Sequence, residues 1–185
     1  RSARADASCG TGMVLPTMAN LKLAIIGCGN PNRCDDGVGA TVINVLRDVE
    51  LPEYVQLYDA GTDGMGVMYH ARGSTHLIVV DARAPEGNPG AIYEVPGEVL
   101  AAPKEQSLNL HDFRWDHALY AGKRIYEDEF PKHVKVFLIE AQSLQMHIGL
   151  TEKVAHAAKE VIKQVHKLAC MPELKWPEIS VQKDA

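Results

Sequence analysis

The chain has 185 residues, enough for one α/β domain with a sizeable buried core and too few for two full ones. It is 46% hydrophobic and 23% charged, ordinary for a soluble globular protein, and its net charge of −5 argues against general nucleic-acid binding. Cys9, Cys28, Cys34 and Cys170 form neither a disulfide framework nor a CxxC pair, and no apolar run approaches the ~20 residues that span a bilayer, so a reduced cytoplasmic protein without membrane contact is expected.

Residues 1–20 read as a disordered N-terminal extension without the apolar core of a signal peptide, and Met18 offers a natural start. Ordered patterning begins at Leu21, where LKLAII (21–26) is a short apolar strand. From Asp36 the apolar residues Val38, Val42, Val45, Leu46 and Val49 recur on one helical face, with Asp35 or Asp36 as the N-terminal cap and Pro52 as the stop. YVQLY (54–58) is a second strand, the DAGTDG turn follows, and 64–72 reads as a short helix. HLIVV (76–80) is the near-continuous apolar run of a central parallel strand, ending at Asp81. After a loop with Pro85, Gly87, Pro89 and Gly90 comes AIYEV (91–95), an edge strand. The segment 97–110 looks irregular, and a helix is expected from Asp112 to Tyr126. VKVFLI (134–139) is the fifth strand, and Thr151 caps a last helix whose face includes Val154, Ala158, Val161, Val165 and Leu168. The proline-broken segment 171–185 reads as a loose tail with Trp176 docked on the body. Strands alternating with helices predict an α/β three-layer sandwich: a mostly parallel, twisted five-stranded sheet with helices on both faces, in one domain over 21–170.

In such a sheet, ligands bind beyond the carboxyl ends of the strands. The polar residues expected there are Asn30 and Asp36, Asp59 and Thr62, Asp81, the His111-Asp112 segment, and Gln142 with His147. The glycine-rich turn GCGNPNRCDDGVG (27–39) invites comparison with a dinucleotide fingerprint, but the third glycine is missing and two acids stand where a pyrophosphate would sit. Taken singly, Asp35-Asp36 is an ordinary helix cap with a first-turn acid, Asp81 a polar strand end, and His111 one of eight histidines. Together Asp36, Asp81 and His111 supply two carboxylates and an imidazole, suitable ligands for a divalent transition metal, from three separate loops that leave coordination positions open. Such a set suits a cation brought in by something else. Cys28 and Cys34 have no paired base in the local sequence, which disfavours a covalent cysteine mechanism.

Five motifs in this order resemble the hydrogenase maturation endopeptidases, over about Leu21 to Leu168: GCGN (27–30) with DDGVG (35–39), DAGT (59–62), LIVVDA (77–82), LNLHDF (108–113) and EAQSLQMHIGLT (140–151). The resemblance implies an aspartyl-type endopeptidase that removes the C-terminal extension of the precursor large subunit of a nickel–iron hydrogenase once nickel is in place. It implies that Asp36, Asp81 and His111 bind the metal and carry catalysis, with nickel borne by the substrate rather than held permanently. Many members have Glu where this chain has Asp36; Asp35 and His117 are the minor alternatives. A non-catalytic nickel-sensing chaperone of hydrogenase assembly is the competing reading. Specificity for the particular large subunit is expected in the 97–126 segment.

Overall fold

A computed structural model describes residues 21–96 and 115–176; the expectations for 1–20, 97–114 (His111 included) and 177–185 lie outside the described residues. The chain runs β1 (Leu23–Cys28), a 3-10 turn (Cys34–Gly37), α1 (Val38–Arg47), β2 (Val55–Gly61), α2 (Gly64–Ala71), β3 (His76–Arg83), β4 (Ile92–Pro96), α3 (Trp115–Tyr126), β5 (His133–Glu140) and α4 (Glu152–Ala169). The sheet order is β2-β1-β3-β5-β4. β1 pairs parallel with β2 and β3, β3 pairs parallel with β5, and only β4 runs antiparallel, against β5. This is the expected mostly parallel α/β sheet with helices on both faces, and β4 is the expected edge strand. Its last residue, Pro96, sits where a missing N–H is tolerated.

The period-2 alternation of the strands divides the core in two. Leu23 and Ile25 of β1, Ile78 and Val80 of β3, and Phe137 and Ile139 of β5 join α1 and α4 in one cluster. Ala24 and Ile26, Leu77 and Val79, and Val136 join α2 and α3 in the other. β1 is buried along its whole length, which is why LAII carries no polar residue on either face. Each fully buried Ile or Leu contributes ~1.5–3 kcal/mol relative to exposure, so Ile25→Ala alone costs ~2–5 kcal/mol.

Three local differences from the sequence reading have physical causes. The α1 face is Val38, Val42, Ile43 and Leu46; Val45 is at the margin of this stripe and Val49 falls beyond the helix end, so both are exposed. β3 continues through Asp81 to Arg83 because β5 supplies partners as far as Glu140. The segment read as a loose tail is packed further than expected, with Leu174 buried in the α1/α4 cluster, while Trp176 docks on the body as expected, its Nε1–H donating to the Leu168 carbonyl at 3.2 Å. No helix among the described residues is long and apolar enough to cross a membrane.

Candidate active site

β1 connects to β2 on one side of the sheet, while β3 and β5 lie on the other. The carboxyl ends of β1 and β3 therefore flank the point where the winding reverses, the usual ligand crevice of an open α/β sheet. Asp36, just after β1, and Asp81, on β3, are both at this point.

Close backbone packing brings them together. A methyl group on Gly39 would sit 2.2 Å from the Cys28 carbonyl oxygen, and one on Gly27 would sit 2.4 Å from the Gly39 carbonyl oxygen. Only glycines let the first turn of α1 rest on the end of β1. Gly29, at φ +110°, lies between the two acids: a methyl there would meet the Asp36 carbonyl oxygen at 1.9 Å and Asp81 Oδ1 at 3.4 Å. The glycines of GCGN thus make room for the main chain of the turn into α1 and, at Gly29, for the Asp81 carboxylate.

The two adjacent acids have different surroundings. Asp35 is fully buried. Its Oδ2 accepts from the Gln142 N–H (2.8 Å), the Ser143 N–H (3.0 Å) and the Thr151 hydroxyl (3.0 Å), and its Oδ1 from the Thr151 N–H (2.7 Å). It ties the β1–α1 turn to the β5–α4 loop, and its lone pairs are occupied. Neither Asp35 nor Asp36 caps through its side chain, and the Thr151 hydroxyl expected to cap α4 goes to Asp35 instead. Asp36 is partly buried; its Oδ2 accepts from the Asn30 N–H at 3.0 Å, and no described residue donates to its Oδ1. Of the pair, Asp36 is the one with an oxygen left for a ligand.

Asp81 is buried. Its Oδ1 accepts from the Ala82 N–H at 2.8 Å, and its Oδ2 from the Trp115 indole N–H at 2.6 Å. Trp115, at the start of α3 and itself buried, is a partner the sequence reading missed, since nothing in its local sequence marks it as bonded to Asp81. His117 lies on α3, with its Nδ1 3.6 Å from Asp116 Oδ1 and its N–H bonded to the same oxygen.

The other strand-end residues stay apart. Asp59 Oδ1 accepts from the Gly61 N–H in a local turn on the outer strand, and Thr62 is exposed. Gln142 contributes its main-chain N–H to Asp35, and His147 pairs through its backbone with the 32–34 segment. Cys28 and Cys34 are buried, and neither is in a disulfide among the described residues. No group of three or more His, Cys, Asp or Glu side chains among the described residues is arranged to hold a metal ion. Glu140, buried at the end of β5, accepts from the Glu86 and Asn88 N–H groups (2.8 and 2.6 Å) and the Tyr93 hydroxyl; the Glu86 N–H foremost holds its carboxyl below the usual range, against the opposing effect of burial. That network organises the β3–β4 loop.

Residues 40–168 match the family model described as hydrogenase maturation protease. The chain is 29% identical to the hydrogenase 2 maturation protease of Escherichia coli over 147 residues, covering 78% of this chain and 88% of that one. It is 27% identical to the coenzyme F420 hydrogenase subunit delta of Methanothermobacter thermautotrophicus, covering 78% of this chain and 92% of that one. Among solved structures, the hydrogenase maturating endopeptidase HybD from E. coli superposes with a TM-score of 0.66 at 28% identity, over 78% of this chain and 90% of that one. Glycine-pinned carboxylates at the switch point of this sheet thus occur in a chain that belongs to the hydrogenase maturation protease family, and it is a peptidase.

Proposed function

We propose that this peptidase removes the C-terminal extension of a nickel-loaded large-subunit precursor of a nickel–iron hydrogenase, and that Asp36, Asp81 and His111 form its site. The observation that carries the reading is the contrast between the two adjacent acids. Asp35 is saturated by four hydrogen bonds, whereas Asp36 keeps an oxygen with no described donor beside a second, buried carboxylate. Two carboxylates, one just after β1 and one on β3 at the point where the winding reverses, favour a cation over an anion.

His111 precedes Trp115 by four residues, and the indole is bonded to Asp81. The intervening chain reaches at most ~14 Å. That tether supports an imidazole joining the two acids. Carboxylates and imidazole suit nickel, which belongs to the substrate in this account. The substrate's nickel then serves as a recognition mark: a precursor without it lacks the ligand that holds the scissile bond at the carboxylates.

Hydrolysis needs a water deprotonated as it attacks the scissile carbonyl, and a proton delivered to the leaving amine. Asp36, with its less encumbered oxygen, suits the base; Asp81, held by two donors, suits orientation and charge. Nickel on the substrate would add polarisation of the carbonyl. The peptidase assignment removes the non-catalytic chaperone reading. The intracellular setting remains part of the proposal, since the substrate acquires its metal before it is cut.

The test is cleavage by single variants. Asp36→Ala, Asp81→Ala and His111→Ala should each abolish shortening of the precursor while remaining folded by circular dichroism. Undiminished cleavage by all three would overturn the site.

A further inference from the structure

Peptide hydrolysis puts negative charge on the scissile carbonyl oxygen, and two carboxylates cannot stabilise it. That charge needs a donor close to Asp36, fixed before the substrate arrives. Asn30 stands there. It lies just past the end of β1, and its N–H donates to Asp36 Oδ2 at 3.0 Å. Gly29 before it, at φ +110°, lets the chain turn sharply at this point.

The other acceptors of Asn30 are occupied. Its carbonyl accepts from the Arg33 N–H at 2.9 Å, and its Oδ1 accepts from the Asn32 N–H at 3.0 Å. The second bond fixes which way the side-chain amide is turned, because only its oxygen accepts from a main-chain N–H. The Nδ2 amino group is left as a donor, and no described residue accepts from it. Asn30 is partly buried, and three hydrogen bonds hold it, so this donor is set in place by the fold.

Its reach fits the chemistry. Nδ2 is at most ~5 Å from the main-chain nitrogen of its own residue, and so within ~8 Å of Asp36 Oδ2. A water held by Asp36 at ~2.7 Å, with a carbonyl carbon ~3 Å beyond it, falls inside that distance. A neutral donor also suits this place. A lysine or arginine would pair with Asp36 and weaken its attraction for a cation.

We infer that the Asn30 side-chain amide donates to the scissile carbonyl oxygen and stabilises the anion that forms there. This rests on the proposed peptidase substrate. In the step, the water oxygen bonds to the carbonyl carbon, one water proton passes to Asp36, and the carbonyl π pair moves onto the oxygen that Nδ2–H meets. When that pair returns, the C–N bond breaks and the leaving nitrogen takes the proton from Asp36. Asn30 itself exchanges no proton.

The experiment is steady-state cleavage of the nickel-loaded precursor large subunit by the full chain and by its Asn30→Ala and Asn30→Asp variants, with pH profiles and melting curves for each. Asn30→Ala removes the donor without adding charge. Its kcat should fall about 100-fold or more, with KM within about threefold and the acid limb of the pH profile in place. Asn30→Asp keeps an oxygen for the Asn32 N–H, and with it the turn, and should lose as much. A raised KM at unchanged kcat in Asn30→Ala overturns the assignment in favour of ground-state binding. A displaced acid limb in that variant overturns it in favour of a role in holding Asp36. Normal cleavage by folded Asn30→Asp overturns it even where Asn30→Ala fails to fold. All of these leave the peptidase reading intact, whereas a lack of cleavage by the unaltered chain overturns both.

Discussion

Removing the Trp115 indole N–H tests whether Asp81 is held for function. Trp115→Phe keeps a smaller aromatic ring in the α2/α3 cluster and deletes the donor that reaches Asp81 Oδ2 at 2.6 Å, the lost ring volume adding a packing cost that the melts record. A hydrogen bond to a charged group contributes ~1.5–3 kcal/mol, and the oxygen left behind is buried, so the lower bound already includes a desolvation penalty. At a urea slope of ~2 kcal/mol per molar, a loss of about 2 kcal/mol moves the midpoint down by ~1 M. The loss divides between stability and site geometry. If one half appears as misplacement of the carboxylate in the transition state, kcat falls ~5-fold; if all of it does, ~30-fold. Urea melts and precursor cleavage measured on the same preparation separate the two, and Asp81→Asn combined with Trp115→Phe gives the coupling. Unchanged melting and unchanged kcat in Trp115→Phe would refute the reasoning, because a 2.6 Å donor contact to the buried acid would then do nothing.

The two neighbouring acids should respond in opposite ways. Asp35→Asn places an amide NH2 against main-chain donors at 142, 143 and 151 and should destabilise by about 3 kcal/mol, read as a lower melting temperature. Asp36→Asn should alter melting little while abolishing cleavage. Gly29→Ala forces a methyl to within 1.9 Å of the Asp36 carbonyl oxygen at a positive φ, and should cost upwards of ~3 kcal/mol or leave protein that fails to accumulate. His76, stacked on His133 at 4.5 Å and edge-on to Trp176, has its imidazole pulled down to about 4, first by burial and then by His133. The unfolded chain takes up this proton near pH 6.5 and the folded one only near 4, so stability falls as pH drops through that window. Melting temperatures recorded from pH 7 to 4.5 should show this loss, and His76→Phe should flatten it.

Most of the fold was legible because the strands announce themselves. LAII and HLIVV are apolar on both faces, which only a covered parallel strand requires. Asp36 and Asp81 were legible because the winding of an α/β sheet brings the ends of β1 and β3 to one point. What separates Asp35 from Asp36 was not legible as geometry. It depends on contacts with Gln142, Ser143 and Thr151, more than a hundred residues away, and no local rule anticipates them. Trp115 escaped for a similar reason: its spacing fits a core helix face, and its bond to Asp81 arises only when α3 docks on β3. In the 171–176 segment the docking of Trp176 was legible, but the burial of Leu174 was not, because prolines break a helix without stopping the chain after them from packing.

The central claim is that cleavage depends on a metal carried by the substrate. The direct measurement is the C-terminal mass of a precursor hydrogenase large subunit incubated with this protein, with nickel loaded and without. The account predicts loss of a short C-terminal peptide in the nickel-loaded sample alone, with none when Asp36 is replaced by Ala. Equal shortening of the nickel-free precursor would contradict it, since the two carboxylates would then be cutting without the cation they are proposed to recognise.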